Sequence, residues 1–247
     1  MTPSRGRARL GLLVPFTNTN LEPDMSLMSP PGISVHIARL GGYDAERIPD
    51  ASQMQGLGAS DIDEPLRLLM GVRPDIILYG CTSATLAHGP DFDRALAARA
   101  RSVSGAETVT AAGALVSALK LLDARRVGLA SPYVPAINDM AVAFLAEAGI
   151  ETIQRSEVSE PLSNEEQGAM TPDEVLAAGI RADHDDADAV VLSCTDMRSV
   201  ESIARLERAL GKPAICSNQA MMHAALRRLG IDDPVEGFGT LLERPRT

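Results

Sequence analysis

This chain of 247 residues holds only three cysteines, and no two of them form a Cys-x-x-Cys pair. Its histidines form no His-x-x-x-His pair either. A small odd set of cysteines argues against a disulfide framework and for a reducing compartment. The missing pair spacings argue against a dedicated zinc site. No apolar run reaches the roughly 18 residues of a membrane span. The opening stretch, MTPSRGRARLGLLVPF, lacks the long apolar core and small-residue cleavage site of a secretory signal, so the expected location is the cytoplasm. Clustered Lys and Arg are also missing. The formal net charge is −10, which argues against a nucleic-acid partner. That charge gives no long-range attraction to an anionic substrate. Screening over about 8 Å leaves the choice of ligand to local groups.

What is present is a core. Hydrophobic residues make up 45% of the chain. Short apolar runs at 9–15, 33–40, 75–80, 107–111, 127–131, 151–155, 189–193 and 213–217 read as strands. Ala/Leu-rich segments of helical period, such as FDRALAARARSV, separate most of them. This alternation predicts βαβ units and a mostly parallel sheet. The strand runs are continuously apolar, the pattern of strands covered on both faces.

The chain also repeats itself. Asp75 and Cys81 bracket one apolar run, and Asp188 and Cys194 bracket another at the same interval, each followed by Thr. RLGLLVPFTNTN opens the first half and RRVGLASPYVPAIN the second. The repeat predicts an α/β fold of two pseudo-symmetric lobes, each a mostly parallel sheet flanked by helices. The expected lobes are 1–112 and 113–217, with a C-terminal segment, 218–247, returning to the first. Ligands of open α/β sheets sit at the carboxyl ends of the strands. The expected active site is therefore the cleft between the lobes.

Each Cys-Thr falls where a strand ends and a helix is expected to begin. Unpaired N–H groups at a helix N-terminus carry partial positive charge, which lowers a thiol pKa and binds carboxylates. The hydroxyls of Thr82, Ser83 and Thr195 would help hold an anion there. Cys216 has no such partner motif and reads as core. His36 lies in a strand and His223 in a helix. His88, near Cys81, reads as a capping or surface residue, and His184 lies in a solvated acidic loop.

The segments GLLVPFTNTNLEPDM, PPGISVHIARL, YGCTSATLAHG, LASPYVPAIN, SNEEQG and SCTDMRSVESIARLERALGKPAICSNQA together resemble the maleate cis-trans isomerase group. That group belongs to the aspartate/glutamate racemase superfamily, alongside arylmalonate decarboxylases and hydantoin racemases. The resemblance runs from about Leu10 to Ile231. It implies an enzyme without cofactor or metal, acting on a small carboxylate between two like lobes, and a homo-oligomer of two or more chains. It also implies that Cys81 and Cys194 are the catalytic pair, and that Asn18, Tyr133 and Asn164 bind substrate, the last from a loop after the sixth strand.

In the isomerases the first cysteine attacks the double bond of maleate, the enediolate rotates, and loss of the thiolate gives fumarate. In the racemases the two cysteines move protons on opposite faces of a carbon acid, which is the alternative here. The decarboxylases carry glycine in place of the first cysteine, and this chain keeps Cys81. A silent ligand-binding protein that kept the cleft is the reading outside enzymology. Two departures stand out. Phe16 and Thr17 replace small Ser-like residues, and Asp196 stands where the isomerases tend to carry asparagine. A carboxylate there would repel a dianion unless it turned away to cap a helix.

Overall fold

The computed structural model describes residues 6–244; positions 1–5 and 245–247 of the expected lobes lie outside the described residues. The first half runs β1 (Ala8–Pro15), α1 (Leu21–Leu27), β2 (Ile33–Leu40), α2 (Ala51–Ala59), α3 (Asp63–Leu69), β3 (Ile76–Tyr79), α4 (Thr82–Leu86), α5 (Pro90–Ser104), β4 (Glu107–Thr110) and α6 (Ala111–Leu121). The second half runs β5 (Arg126–Ala130), α7 (Pro135–Glu147), β6 (Glu151–Ser156), α8 (Asn164–Ala169), α9 (Pro172–Ala182), β7 (Ala189–Leu192), α10 (Ile203–Leu210), β8 (Ala214–Cys216), α11 (Ser217–Arg228) and α12 (Thr240–Glu243).

Two four-stranded parallel sheets result, in the orders β2-β1-β3-β4 and β6-β5-β7-β8. The orders match position for position, so the sequence repeat is a repeat of topology. The duplicated aspartates have a shared structural task. Asp75 accepts the N–H of Arg9 at 2.7 Å, and Asp188 accepts the N–H of Arg126 at 2.7 Å and of Arg125 at 2.9 Å. Each carboxylate thereby ties the start of one strand to its neighbour. Glycine near the start of each first strand lets a helix approach. A Cβ at Gly128 would stand 1.9 Å from the Ala182 carbonyl oxygen at the end of α9.

The central strands β3 and β7 are buried at every position, as continuous apolar runs require. Helices α6 and α11 follow the last strands of the two sheets and pack against each other, and each also touches β4 and β8. One apolar core therefore runs from Leu10 and Leu12 through Leu115 and Leu226 to Val190 and Leu192. The run expected at 213–217 is shorter as a strand, because Ser217 already begins α11. Among the described residues no helix is long and apolar enough to cross a membrane.

Candidate active site

Strands β3 and β7 end at Cys81 and Cys194, and both side chains line one small cavity between the lobes, of about 40 Å³. A larger surface groove, about 620 Å³ between β2 and α3, contains no cysteine. Size alone would point there, but the paired thiols decide for the smaller cavity.

Cys81 is the residue before α4, with extended backbone. Its sulfur lies 3.6 Å from the Ser83 hydroxyl, and no backbone N–H of α4 caps it. The Ser83 and Ala84 N–H groups favour its thiolate through proximity, short of the capping expected of the helix start. Their effect on acidity is smaller than expected: burial pushes the Cys81 thiol up, and these donors offset it only in part. The expected lowering of the Cys81 pKa is corrected accordingly, because desolvation outweighs what the polar groups at the start of a short helix supply.

Cys194 departs further from expectation. No helix begins there. Residues 195–202 form turns, with the N–H of Ser199 donating to the Met197 carbonyl at 2.6 Å, and α10 starts only at Ile203. The reason is Asp196. Its side chain reaches across the cleft to the first lobe, where Oδ1 accepts the N–H of Thr19 at 2.8 Å and of Asn20 at 3.1 Å. The Asp196 N–H in turn donates to the Cys194 sulfur at 3.3 Å. Burial first, and the Asp196 charge second, push the Cys194 thiol up to about 12. Two thiols in equivalent places therefore have unlike surroundings: the Ser83 hydroxyl and the start of α4 at Cys81, the Asp196 N–H and its carboxylate at Cys194.

Tyr133 lines the same cavity, its hydroxyl near Cys194 and Ser83. Burial pushes its phenol well up, so it stays a donor. Asn18 donates its amide to the Thr195 hydroxyl at 3.2 Å, and Thr195 donates to the Gly80 carbonyl at 3.0 Å. Asn164 is the first residue of α8 rather than part of a loop. It receives the Thr17 hydroxyl at 3.4 Å and donates to the Ala45 carbonyl at 3.3 Å.

The cavity therefore brings together Asn18, Cys81, Ser83, Tyr133, Asn164, Cys194 and Thr195. Thr82 is left out: its hydroxyl donates to Ser217 at 2.9 Å, away from the cavity. Cys216 is buried and caps α11, accepting the Gln219 N–H at 3.4 Å. Tyr43, Met54 and Gln167 also line the cavity and were not anticipated. Tyr43 bonds the Thr17 hydroxyl and packs against Phe16 with ring centroids 5.0 Å apart, so the two unusual residues of the first loop serve as its platform. Among the described residues no group of His, Cys, Asp and Glu is arranged to hold a metal.

The arylmalonate decarboxylase family model matches residues 10–242. The chain belongs to this family. Within it, similarity reaches enzymes of two named activities. A maleate isomerase from Nocardia farcinica is 32% identical over 97% of this chain and 97% of its own length. The arylmalonate decarboxylase of Bordetella bronchiseptica is 30% identical over 94% of this chain and 92% of its own. In solved structures of the family, a cysteine-to-serine mutant of the Nocardia farcinica maleate cis-trans isomerase holds a covalently bound succinylcysteine intermediate. It superposes with a TM-score of 0.88 at 26% identity, covering 97% of this chain and 99% of that one. The two-lobed fold of this chain thus superposes on that of an enzyme in which a covalent succinylcysteine has been captured.

Proposed function

We propose that this chain is a cofactor-independent cis-trans isomerase that converts maleate to fumarate, with Cys81 as nucleophile and Cys194 as acid and base. The carrying observation is the pair of thiols facing one cavity with unlike surroundings. Cys81, beside the Ser83 hydroxyl and the start of α4, is the better thiolate. Cys194, beside a carboxylate, holds its proton.

The steps follow from these roles. The Cys81 thiolate adds to one alkene carbon, and the π electrons move toward the other carbon and its carboxylate. The Cys194 thiol gives that carbon a proton, leaving a succinyl group on Cys81 and a thiolate on Cys194. Rotation about the new single bond follows. Cys194 takes the proton back, the carbon–sulfur bond breaks, and fumarate leaves with Cys81 again a thiolate. The developing enediolate needs fixed donors. Asn18, Ser83, Tyr133, Asn164 and Thr195 supply side-chain groups. The acting form is a homo-oligomer in the cytoplasm, a setting supported by three unpaired thiols.

The test is turnover of maleate followed by proton NMR in deuterated buffer, together with citraconate, aspartate, glutamate and hydantoins. Fumarate formation supports the proposal. One-sided α-hydrogen exchange on an amino acid or hydantoin, with maleate untouched, would replace it with racemase chemistry.

A further inference from the structure

Asp196 is the only acidic residue lining the cysteine cavity, and no Lys, Arg or His lines it among the described residues. A dianionic substrate would therefore meet a buried negative charge with no cation to balance it. The carboxylate is not free to swing away. Oδ1 takes the Thr19 and Asn20 N–H groups and the Asn20 side-chain amide at 3.2 Å. The same amide donates to the Asp196 carbonyl at 2.6 Å and to the Gly168 carbonyl at 2.9 Å. Oδ2 takes none of these bonds and keeps its acceptor capacity. It is crowded from α8: a Cβ at Gly168 would stand 3.2 Å from it. Three segments thus hold one carboxylate in place at the cavity wall.

We propose that Asp196 is a specificity-determining residue that favours substrates carrying one carboxylate and one hydrogen-bond-donating end, such as the monoamide maleamate, over the maleate dianion. This deepens the isomerase reading and rests on it. An ionised Asp196 accepts a bond from an amide or a protonated carboxyl and repels a second carboxylate. The dianion then enters only together with a proton, bound by Asp196 or by the substrate itself.

Burial pushes Asp196 up to about 6, against the lowering donors of Thr19 and Asn20. Below that value it is neutral and can itself donate to a carboxylate; above it the preference for a donor sets in. The groups facing it stay out of that range or can be separated from it. Cys81, Cys194, Tyr133 and Tyr43 are all pushed upward, mainly by burial. From α1, Asp24 is pushed up to about 7, with Arg198 and Glu201 beside it on the turn. The Asp196 charge is one of the groups that raise Asp24, so Asp24→Asn is carried in both proteins of the comparison to remove its titration.

The experiment has two arms. In the first, kcat and KM for maleate and maleamate are measured for Asp24→Asn with and without Asp196→Asn from about pH 5.5 to about pH 8.5. Above about pH 6 the KM for maleate with Asp196 present, relative to the protein carrying Asp196→Asn, is expected to rise about tenfold per pH unit. The corresponding ratio for maleamate stays flat. The titration of maleate itself drops out of the ratio. A pH-independent ratio for maleate would overturn the assignment. The second arm needs neither turnover nor a stable Asp196 variant. Calorimetry of maleate and maleamate binding to Cys81→Ala, at about pH 8 in buffers of different ionisation enthalpy, counts protons taken up. Uptake with maleate and none with maleamate supports the assignment; no uptake with maleate overturns it. Proton uptake together with no turnover of either compound by the wild type would sink the isomerase reading and leave the role of Asp196 standing.

Discussion

The Asn18 side-chain amide of the first lobe donates to the Thr195 hydroxyl of the second at 3.2 Å. The same Asn18 accepts the N–H groups of Asn20 at 3.1 Å and Leu21 at 2.9 Å, so one side chain starts α1 and bridges the cleft. Asn18→Ala removes both. The expected loss is about 100-fold in kcat/KM for maleate, from the missing cavity donor, with about 1 kcal/mol of stability from the missing cap. Steady-state kinetics and urea unfolding measure the two separately. Full activity in a destabilised variant would reduce Asn18 to a structural residue.

Cys81→Ala and Cys194→Ala are expected to fail differently. Without Cys81 no carbon–sulfur bond forms. Without Cys194 the adduct takes its proton from water and no thiolate removes it again, so the mass of one maleate stays on the Cys81 peptide. Intact-protein and peptide mass spectrometry after incubation with maleate reads this directly. An adduct on Cys194 in the Cys81→Ala protein would reverse the assigned roles.

Thiol labelling tests the unlike surroundings. Cys81 and Cys194 are slightly exposed and Cys216 not at all. Burial raises all three pKa values, Cys194 and Cys216 to about 12. Limited iodoacetamide treatment is expected to modify Cys81 first and Cys216 last. The Cys81 rate should keep climbing above the ordinary thiol range, because its thiolate fraction grows only as pH passes the raised value. Labelling that levels off near neutral pH would mean a depressed pKa instead.

Asp24 supplies a stability test with a definite sign. It is buried in α1, receives the Asn218 amide at 2.7 Å, and is pushed up to about 7 by burial, against the lowering of that bond. A carboxyl raised in the folded state holds protons more tightly folded than unfolded. Its contribution is intact below about pH 4 and is lost as pH rises to about 7. Asp24→Asn keeps an acceptor for Asn218 and removes the buried charge. The variant should gain about 2–4 kcal/mol over the wild type at pH 8 and nothing near pH 4. Equal gains at both values would show that charge burial is not the cause.

Backbone approach sets a further contrast. Gly128→Ala drives a methyl group into the Ala182 carbonyl and should cost about 3 kcal/mol or more. Gly71→Ala meets nothing within 4 Å and should be near neutral. Thermal melts of the two variants give the comparison.

The repeat was legible in the sequence because its cause is local. Asp75 and Asp188 each tie adjacent strand starts, and the apolar runs after them are buried on both faces. The helix expected after Cys194 failed because the deciding contact is distant in sequence: Asp196 is satisfied by Thr19 and Asn20, which no local pattern reveals. Tyr43, Met54 and Gln167 reach the cavity from a loop and from α2 and α8, where periodicity marks burial but not which cavity is lined. Thr82 shows the converse limit. Its position was legible, but its hydroxyl donates to Ser217, the first residue of α11, which is distant in sequence.

The crossed pair α6 and α11 has one more consequence, for the repeat itself. Each helix lies against the last strand of both sheets, so the apolar face that completes one half is supplied partly by the other. A chain cut in the turn between α6 and β5 would give two fragments, each with half of a shared interior left open to water. Neither is an autonomous folding unit. The duplicated halves share one interior, and a change in the packing of either helix bears on both sheets at once.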